Sequence, residues 1–342
     1  MLLKKLSEAA GVSGFENHIR NVIREELKGY VDEIKTDALG NLITYKKGKK
    51  NYPIVMLCAH MDEVGLMITS IDKDGFLKFK TVGGIDDRIL VSKVVEIGET
   101  RCNGVIGAKA IHLQEAEERK KALKSKDLFI DIGAKSREDA EKKVKIGDYA
   151  WFKSSFELFG YNFCKGKALD DRAGCGVLIE ILKNINNILP IYGVFTVQEE
   201  VGLRGSAVAA YSINPDLAIV IEATTANDVA EVEEHQQVTT INKGPALSVM
   251  DMTYLANKLI IKDIIKTAES RNIDIQFKRS TLGGTDAGRI QLTKEGIPSV
   301  IISIPCRYIH TPSSIISLKD YNNTIKLVEC YINKIQKEGL PI

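Results

Sequence analysis

Val194-Phe195-Thr196-Val197-Gln198-Glu199-Glu200-Val201-Gly202 is the segment around which the rest of the chain is organised. It closes an apolar run that starts at Ile191, and such a run reads as a buried strand. The run ends in two adjacent carboxylates and a glycine, and Gly205-Ser206-Ala207 follows as the opening of a helix. A buried strand, then acids, then a glycine turn into a helix is where open α/β sheets place their ligands. Taken alone, the stretch reads equally well as a solvated strand end with a helix cap.

Working outward, three more apolar runs end in ligand-type residues. Pro53 to Ala59 ends in His60-Met61-Asp62, Leu217 to Ile221 ends in Glu222, and Ile297 to Ile304 leads to Tyr308-Ile309-His310. A further acid, Asp170, opens a helix that runs to about Asn187. Residues two apart on a strand face the same side, so His60 and Asp62 either share one site or Asp62 holds the imidazole from behind. A histidine merely capped by a nearby carboxylate is the commoner fate of an isolated His-x-Asp. His112 has no acidic neighbours in a matching setting and reads as structural.

The texture of the chain changes near Gly65. Leu66 to Ile71, Phe76 to Val82, Leu90 to Ile97 and Arg101 to Ile111 read as short alternating strands, with Asp72-Lys73-Asp74-Gly75 as a hairpin turn. A charged helix is expected over Glu115 to Lys126, then a strand at Leu128 to Ile132. Ser136 is placed as the N-cap of a short helix, and a strand returns at Tyr149 to Phe152. Residues 66–162 therefore read as an all-β block with small helical additions, inserted between two α/β halves, 1–65 and 163–342. The expected fold class is α/β, interrupted by this β block. Helices are expected at Leu2 to Ala10, Glu16 to Lys28, Thr253 to Asn272 and Tyr321 to Lys337, with Asp286 capping another after Gly283-Gly284-Thr285.

Composition narrows the function class. A chain of 342 residues with a formal net charge of +2 has ample core and offers no electrostatic case for nucleic acid or an acidic membrane. No stretch approaches the ~20 apolar residues of a membrane span, and the N-terminus has no run of signal-peptide length. Six scattered cysteines without a Cys-x-x-Cys pair read as reduced thiols and a cytoplasmic address.

Imidazoles with carboxylates form a ligand set that suits Zn²⁺, Co²⁺ or Mn²⁺. Two histidines and three or four acids exceed what one zinc takes, but match two divalent ions ~3.5–4 Å apart, bridged by a carboxylate. A remaining free carboxylate would then move the proton.

The segments Ala59-His60-Met61-Asp62-Glu63-Val64-Gly65, Ala168-Leu169-Asp170-Asp171-Arg172, Gln198-Glu199-Glu200-Val201-Gly202-Leu203-Arg204-Gly205, Gly283-Gly284-Thr285-Asp286-Ala287 and Tyr308-Ile309-His310-Thr311-Pro312 together resemble the tetrahedral, glutamyl-aminopeptidase-like metallopeptidases of clan MH. The resemblance runs from about Ser13 to the last helix. It implies that Asp170 bridges two ions, that His60 and Glu222 complete one and Glu200 and His310 the other, and that Glu199 is the general base. It also implies that Asp62 orients His60 and that the Asp170–Asp171 peptide bond is cis. Gly283, Gly284, Thr285, Asp286 and Arg307 form the expected substrate-facing set. Arg289 and Arg307 would either favour an acidic N-terminal residue or serve structural ion pairs. The fold implied is a mixed, parallel-rich sheet flanked by helices, with 1–65 and 163–342 as a discontinuous catalytic domain and 66–162 as an inserted small β-barrel-like dimerisation domain. The substrates implied are short peptides with a free N-terminus, and the assembly implied is a dimer that builds a twelve-subunit tetrahedral shell.

Two departures stand out. Many relatives carry Asp where this chain has Glu222, and in the wider clan a Glu there accompanies carboxypeptidase or dipeptidase preference. Relatives also often place a Glu after the His-x-Pro segment, where this chain has Ser313-Ser314. Competing readings are another two-metal hydrolase such as a deacylase, a cellulase-type glycosidase, and a non-catalytic assembly protein. Adjacent Glu199 and Glu200 would diverge rather than flank a sugar from opposite sides, and a scaffold needs no ligand set.

Overall fold

A computed structural model of the chain describes residues 1–341, apart from the side chain of Glu118. Its centre is four parallel strands, Ile191–Thr196, Val55–His60, Leu217–Thr225 and Ser299–Arg307, adjacent in that order. These are the apolar runs of the sequence, and nearly every residue in them is buried. A strand covered on both faces has no polar side to alternate, which is why the runs are continuous. Antiparallel strands extend the sheet at both ends: Leu42–Lys46 and Glu33–Thr36 beyond one side, Ser314–Ser317, Phe163–Gly166 and Glu157–Phe159 beyond the other.

Side-chain alternation along Val55–His60 shows how the layers form. Val55, Leu57 and Ala59 face a large core with helices Leu169–Asn184 and Leu318–Glu338, whereas Met56 and Cys58 face a smaller one with Ala209, Ala210, Ala287 and Ile290. Helices thus cover both faces, and the carboxyl ends of the parallel strands are left as the open rim.

The inserted strands close on themselves. Gly65–Ile71, Leu77–Val82, Phe129–Asp131, Cys102–Gly107, Val94–Ile97 and Tyr149–Phe152 form a six-stranded antiparallel barrel with its own core around Leu66, Phe79, Ile97 and Ile130. Trp151 points out of that core. It packs with Ala10 and Val12, and Phe15 stacks on both Tyr149 and Trp151, so the only Trp seals the seam with the large domain.

Several expectations are corrected. The chain re-enters the large sheet at Glu157, before the boundary of 162 read from the sequence. The charged helix over Glu115 to Lys126 shrinks to Ala116–Arg119 and a single turn at Ser125–Asp127, because it has little apolar face to bury. The long helix starts at Lys258 rather than Thr253: Asp251 Oδ1 accepts from the Thr253 and Tyr254 amides in a turn, and Asn257 supplies the cap. The strand expected from Leu90 is confined to Val94–Ile97, with Leu90 closing a short turn of helix over Asp87–Ile89. Ser136 does cap its helix, accepting from the Asp139 amide. No helix among the described residues is long and apolar enough to cross a membrane.

Candidate metal centre

The parallel sheet brings its carboxyl ends to one level. Thr196 pairs with His60, and Val220 pairs with Cys58, so Glu222 stands beside His60 two residues further on. Glu199 and Glu200 leave the sheet just after Thr196, and His310 follows Ser299–Arg307. Asp170 enters from the irregular first turn of helix Leu169–Asn184, where its peptide bond to Asp171 is cis.

The side chains converge. His60 Nε2 lies 3.2 Å from Asp170 Oδ1, 3.3 Å from Glu222 Oε1 and 4.0 Å from Glu199 Oε2. His310 Nε2 lies 3.3 Å from Asp170 Oδ2 and 3.2 Å from Glu200 Oε2. The two oxygens of Asp170 therefore serve two different imidazoles. Two overlapping groups, His60 with Asp171 and Glu222, and His60 with Asp170 and Glu200, keep their ligand atoms within 4.8 Å and could each hold a metal ion. Asp171 is a carboxylate of this neighbourhood to which the sequence assigned no role. Its Oδ1 accepts from the Gly174 amide, while its Oδ2 is buried without a hydrogen-bond partner among the described residues.

Asp62 is the support behind these groups. It is fully buried, and its Oδ1 stands 3.4 Å from His60 Nδ1. Its Oδ1 also accepts from the Glu199 amide at 3.0 Å, and its Oδ2 accepts from the Glu200 amide at 3.2 Å and the Ser13 hydroxyl at 2.6 Å. Behind His310 the partner is a backbone carbonyl: Nδ1 lies 2.8 Å from the oxygen of Gly84, a residue of the barrel.

The electrostatics describe a cluster short of cations. Burial pushes the Glu199 carboxyl well up, opposed by His60, and Glu222 up to about 7 against the same imidazole. Burial works against the His310 imidazolium, yet Asp170 and Glu200 raise it to about 11. Burial likewise opposes charge on Asp62, yet His60, Ser13 and the Glu199 amide hold that carboxyl below its ordinary range. Desolvated carboxylates facing imidazole nitrogens are the donor set a divalent cation relieves, so the residues fit a metal centre.

The cluster floors a cleft of about 550 Å³. Gly283, Gly284 and Thr285 line it, and Thr285 Oγ1 has no hydrogen-bond partner among the described residues. Met252, Leu282 and Lys278 also wall it, a set the sequence did not single out. Two expected substrate-facing residues sit elsewhere. Asp286 is not a cap, since Thr285 holds that position; it is buried beneath the sheet end and accepts from Thr196 Oγ1 at 2.5 Å. The Arg307 guanidinium is held by Asp228 through two bonds of 2.8 Å, so the structural ion pair is the alternative the geometry favours.

Comparison with known proteins agrees with this geometry. The sequence model of the M42 glutamyl aminopeptidase family matches residues 40–327. A lysyl aminopeptidase of Pyrococcus furiosus is 35% identical over 98% of this chain and 97% of its own. The crystal structure of a TET aminopeptidase from a marine-sediment Thaumarchaeota archaeon superposes with a TM-score of 0.95 at 38% identity, covering 99% of this chain and 96% of the other. The TET1 peptidase of Pyrococcus horikoshii, described as assembling into a tetrahedron or a large octahedral shell, matches with a TM-score of 0.85 at 35% identity over 96% of this chain and 97% of its own. A family match across most of the chain, on a buried His/Asp/Glu cluster at the rim of a parallel sheet, means that this chain belongs to the M42 glutamyl aminopeptidase family and is a metallo-aminopeptidase.

Proposed function

We propose that the chain removes N-terminal residues from short peptides with a free amine, using two divalent ions, Zn²⁺, Co²⁺ or Mn²⁺, bridged by Asp170. The observation that carries this is the split of one carboxylate between two imidazoles, Asp170 Oδ1 to His60 and Oδ2 to His310, at 3.2 and 3.3 Å. His60 and Glu222 would hold one ion, and Glu200 and His310 the other. Bound there, such ions polarise a carbonyl and acidify an attacking water. Glu199 stands 4.0 Å from His60 Nε2, outside the closest ligand contacts, with a carboxyl whose affinity for protons is raised by burial. It takes the proton from water and returns it to the leaving amine. Thr285 Oγ1 and the Gly283–Gly284 backbone offer hydrogen bonds along the cleft, and Met252, Leu282 and Lys278 face the substrate side chain.

The decisive experiment is Glu199→Gln. Metal content measured by elemental analysis should equal that of wild type while kcat falls by ~10²–10⁴. A mutant with near-wild-type kcat would remove Glu199 from the proton path.

We also propose self-association into dimers and a tetrahedral shell, in a cytoplasmic setting that suits six unpaired thiols, with neither nucleic acid nor membrane as partner. The support is the likeness to the shell-forming Pyrococcus horikoshii peptidase. Light scattering of the metal-loaded protein should give the mass of a large oligomer; a strictly monomeric mass would contradict it.

A further inference from the structure

The two imidazoles of the cluster are backed by different parts of the chain, although Asp62 also accepts from the Glu200 amide. His60 and Glu222 are 2% and 5% exposed, and Asp62 of the large domain stands behind His60. The His310 side chain is 33% exposed and stands on irregular backbone, with positive φ at both Tyr308 and His310. Its ring orientation is not dictated by a strand. What meets it is the barrel: Gly84 offers its carbonyl to His310 Nδ1 at 2.8 Å. An imidazole that donates Nδ1–H to a carbonyl presents Nε2 as the ligand atom, and Nε2 is the atom that faces Asp170 and Glu200. The neighbouring Gly83 lies against Glu200 as well. A Cβ built on Gly83 would come 3.4 Å from Glu200 Cβ and 2.8 Å from Val64 Cγ1, and its φ of +80° favours glycine. One barrel turn therefore meets His310 through a hydrogen bond and leaves no room for a side chain between Val64 and Glu200.

We propose that the Gly83–Gly84 turn of the inserted barrel is the positioning element of the outer metal position, Glu200 and His310. The affinity of that position then depends on how the barrel seats, while the inner position, His60 and Glu222, does not. This inference rests on the two-ion reading given above. It assigns the barrel a role in the chemistry of the site, and it explains why the Gly83–Gly84 pair follows directly on strand Leu77–Val82.

The test is calorimetric titration of Zn²⁺ into the metal-stripped full-length protein. Wild type should show two binding events, and His310→Ala should identify the outer one by weakening it. Gly83→Ala, which adds strain and displaces the turn, should weaken that same event by tenfold or more and leave the other within twofold. Gly75→Ala is the control. It places an alanine at φ +90° in another barrel turn, where the Cβ meets Ala134 and Ser136, and both events should stay within twofold of wild type. A melt of each metal-free variant by circular dichroism checks folding. If Gly83→Ala fails to fold, a single glycine inserted between Gly84 and Ile85 moves the carbonyl without adding a side chain and should produce the same selective loss. Two wild-type events with Gly83→Ala unchanged would overturn this inference alone, as would equal weakening of both events or the same loss in Gly75→Ala. A single wild-type event would overturn the two-ion reading and this inference with it.

Discussion

The Asp62 carboxylate accepts from the amides of Glu199 and Glu200 and from the hydroxyl of Ser13, and it stands 3.4 Å from the ring of His60. Asp62→Asn keeps the shape but turns one oxygen into an NH₂, which cannot accept from the amides or from Ser13. Metal affinity should fall by ~10–100-fold in a metal titration, because the support behind a ligand is lost rather than the ligand. Unchanged affinity would mean that His60 is oriented by other contacts. His60, Asp170, Glu199, Glu200, Glu222 and His310 were legible in the sequence because each lies at the end of an apolar run or the start of a helix, where side-chain chemistry is visible in the letters. Ser13 and Gly84 were not. One contributes a lone hydroxyl from a loop that reads as a helix break, and the other contributes only a backbone carbonyl from a different domain. Asp286 was misread because an acid after Gly-Gly-Thr has the pattern of a cap, while its bond to Thr196 depends on a strand ninety positions away.

Elements meet at a buried ionic knot. Glu63, Lys167 and Arg172 are at most 2% exposed. Lys167 Nζ donates to both Glu63 oxygens, at 2.6 and 2.7 Å, and to the Ala9 carbonyl at 2.8 Å. Arg172 donates to Glu63 and to the carbonyls of Leu6 and Met61, so the end of helix Leu2–Glu8, the segment after His60 and the helix that carries Asp170 are tied together. Burial pulls the Lys167 ammonium down to about 8 against the pull of Glu63, so the pair persists only because its partners complete it. Removing Glu63 leaves two buried cations facing each other. Glu63→Ala should therefore lower the unfolding free energy by ~3–5 kcal/mol in chemical denaturation. A loss below about 1 kcal/mol would show that the knot relaxes or hydrates. The knot was not legible in the sequence, since its members come from three segments with no common pattern. The charged stretch near Glu115 failed for the opposite reason: its letters favour a helix, but no apolar stripe holds that helix to the barrel.

At the scale of the whole molecule, the fold is legible in the sequence wherever burial on both faces leaves an unbroken apolar run. All four central parallel strands were found that way, and the switch to short alternating strands located the barrel. The pairing order of the strands and the seam around Trp151 depend on contacts across the fold and became visible only in three dimensions. The large domain supplies the His, Asp and Glu cluster and most of the cleft, and the barrel closes one side of it through Gly84. This architecture performs metal-dependent removal of N-terminal residues. The most direct measurement is turnover of a panel of free and N-blocked peptides by metal-stripped protein, before and after addition of Zn²⁺, Co²⁺ or Mn²⁺. Single N-terminal residues should be released only after metal is restored and only from free amines. Cleavage that survives metal removal, or that proceeds from the C-terminal end or on blocked peptides, would contradict it.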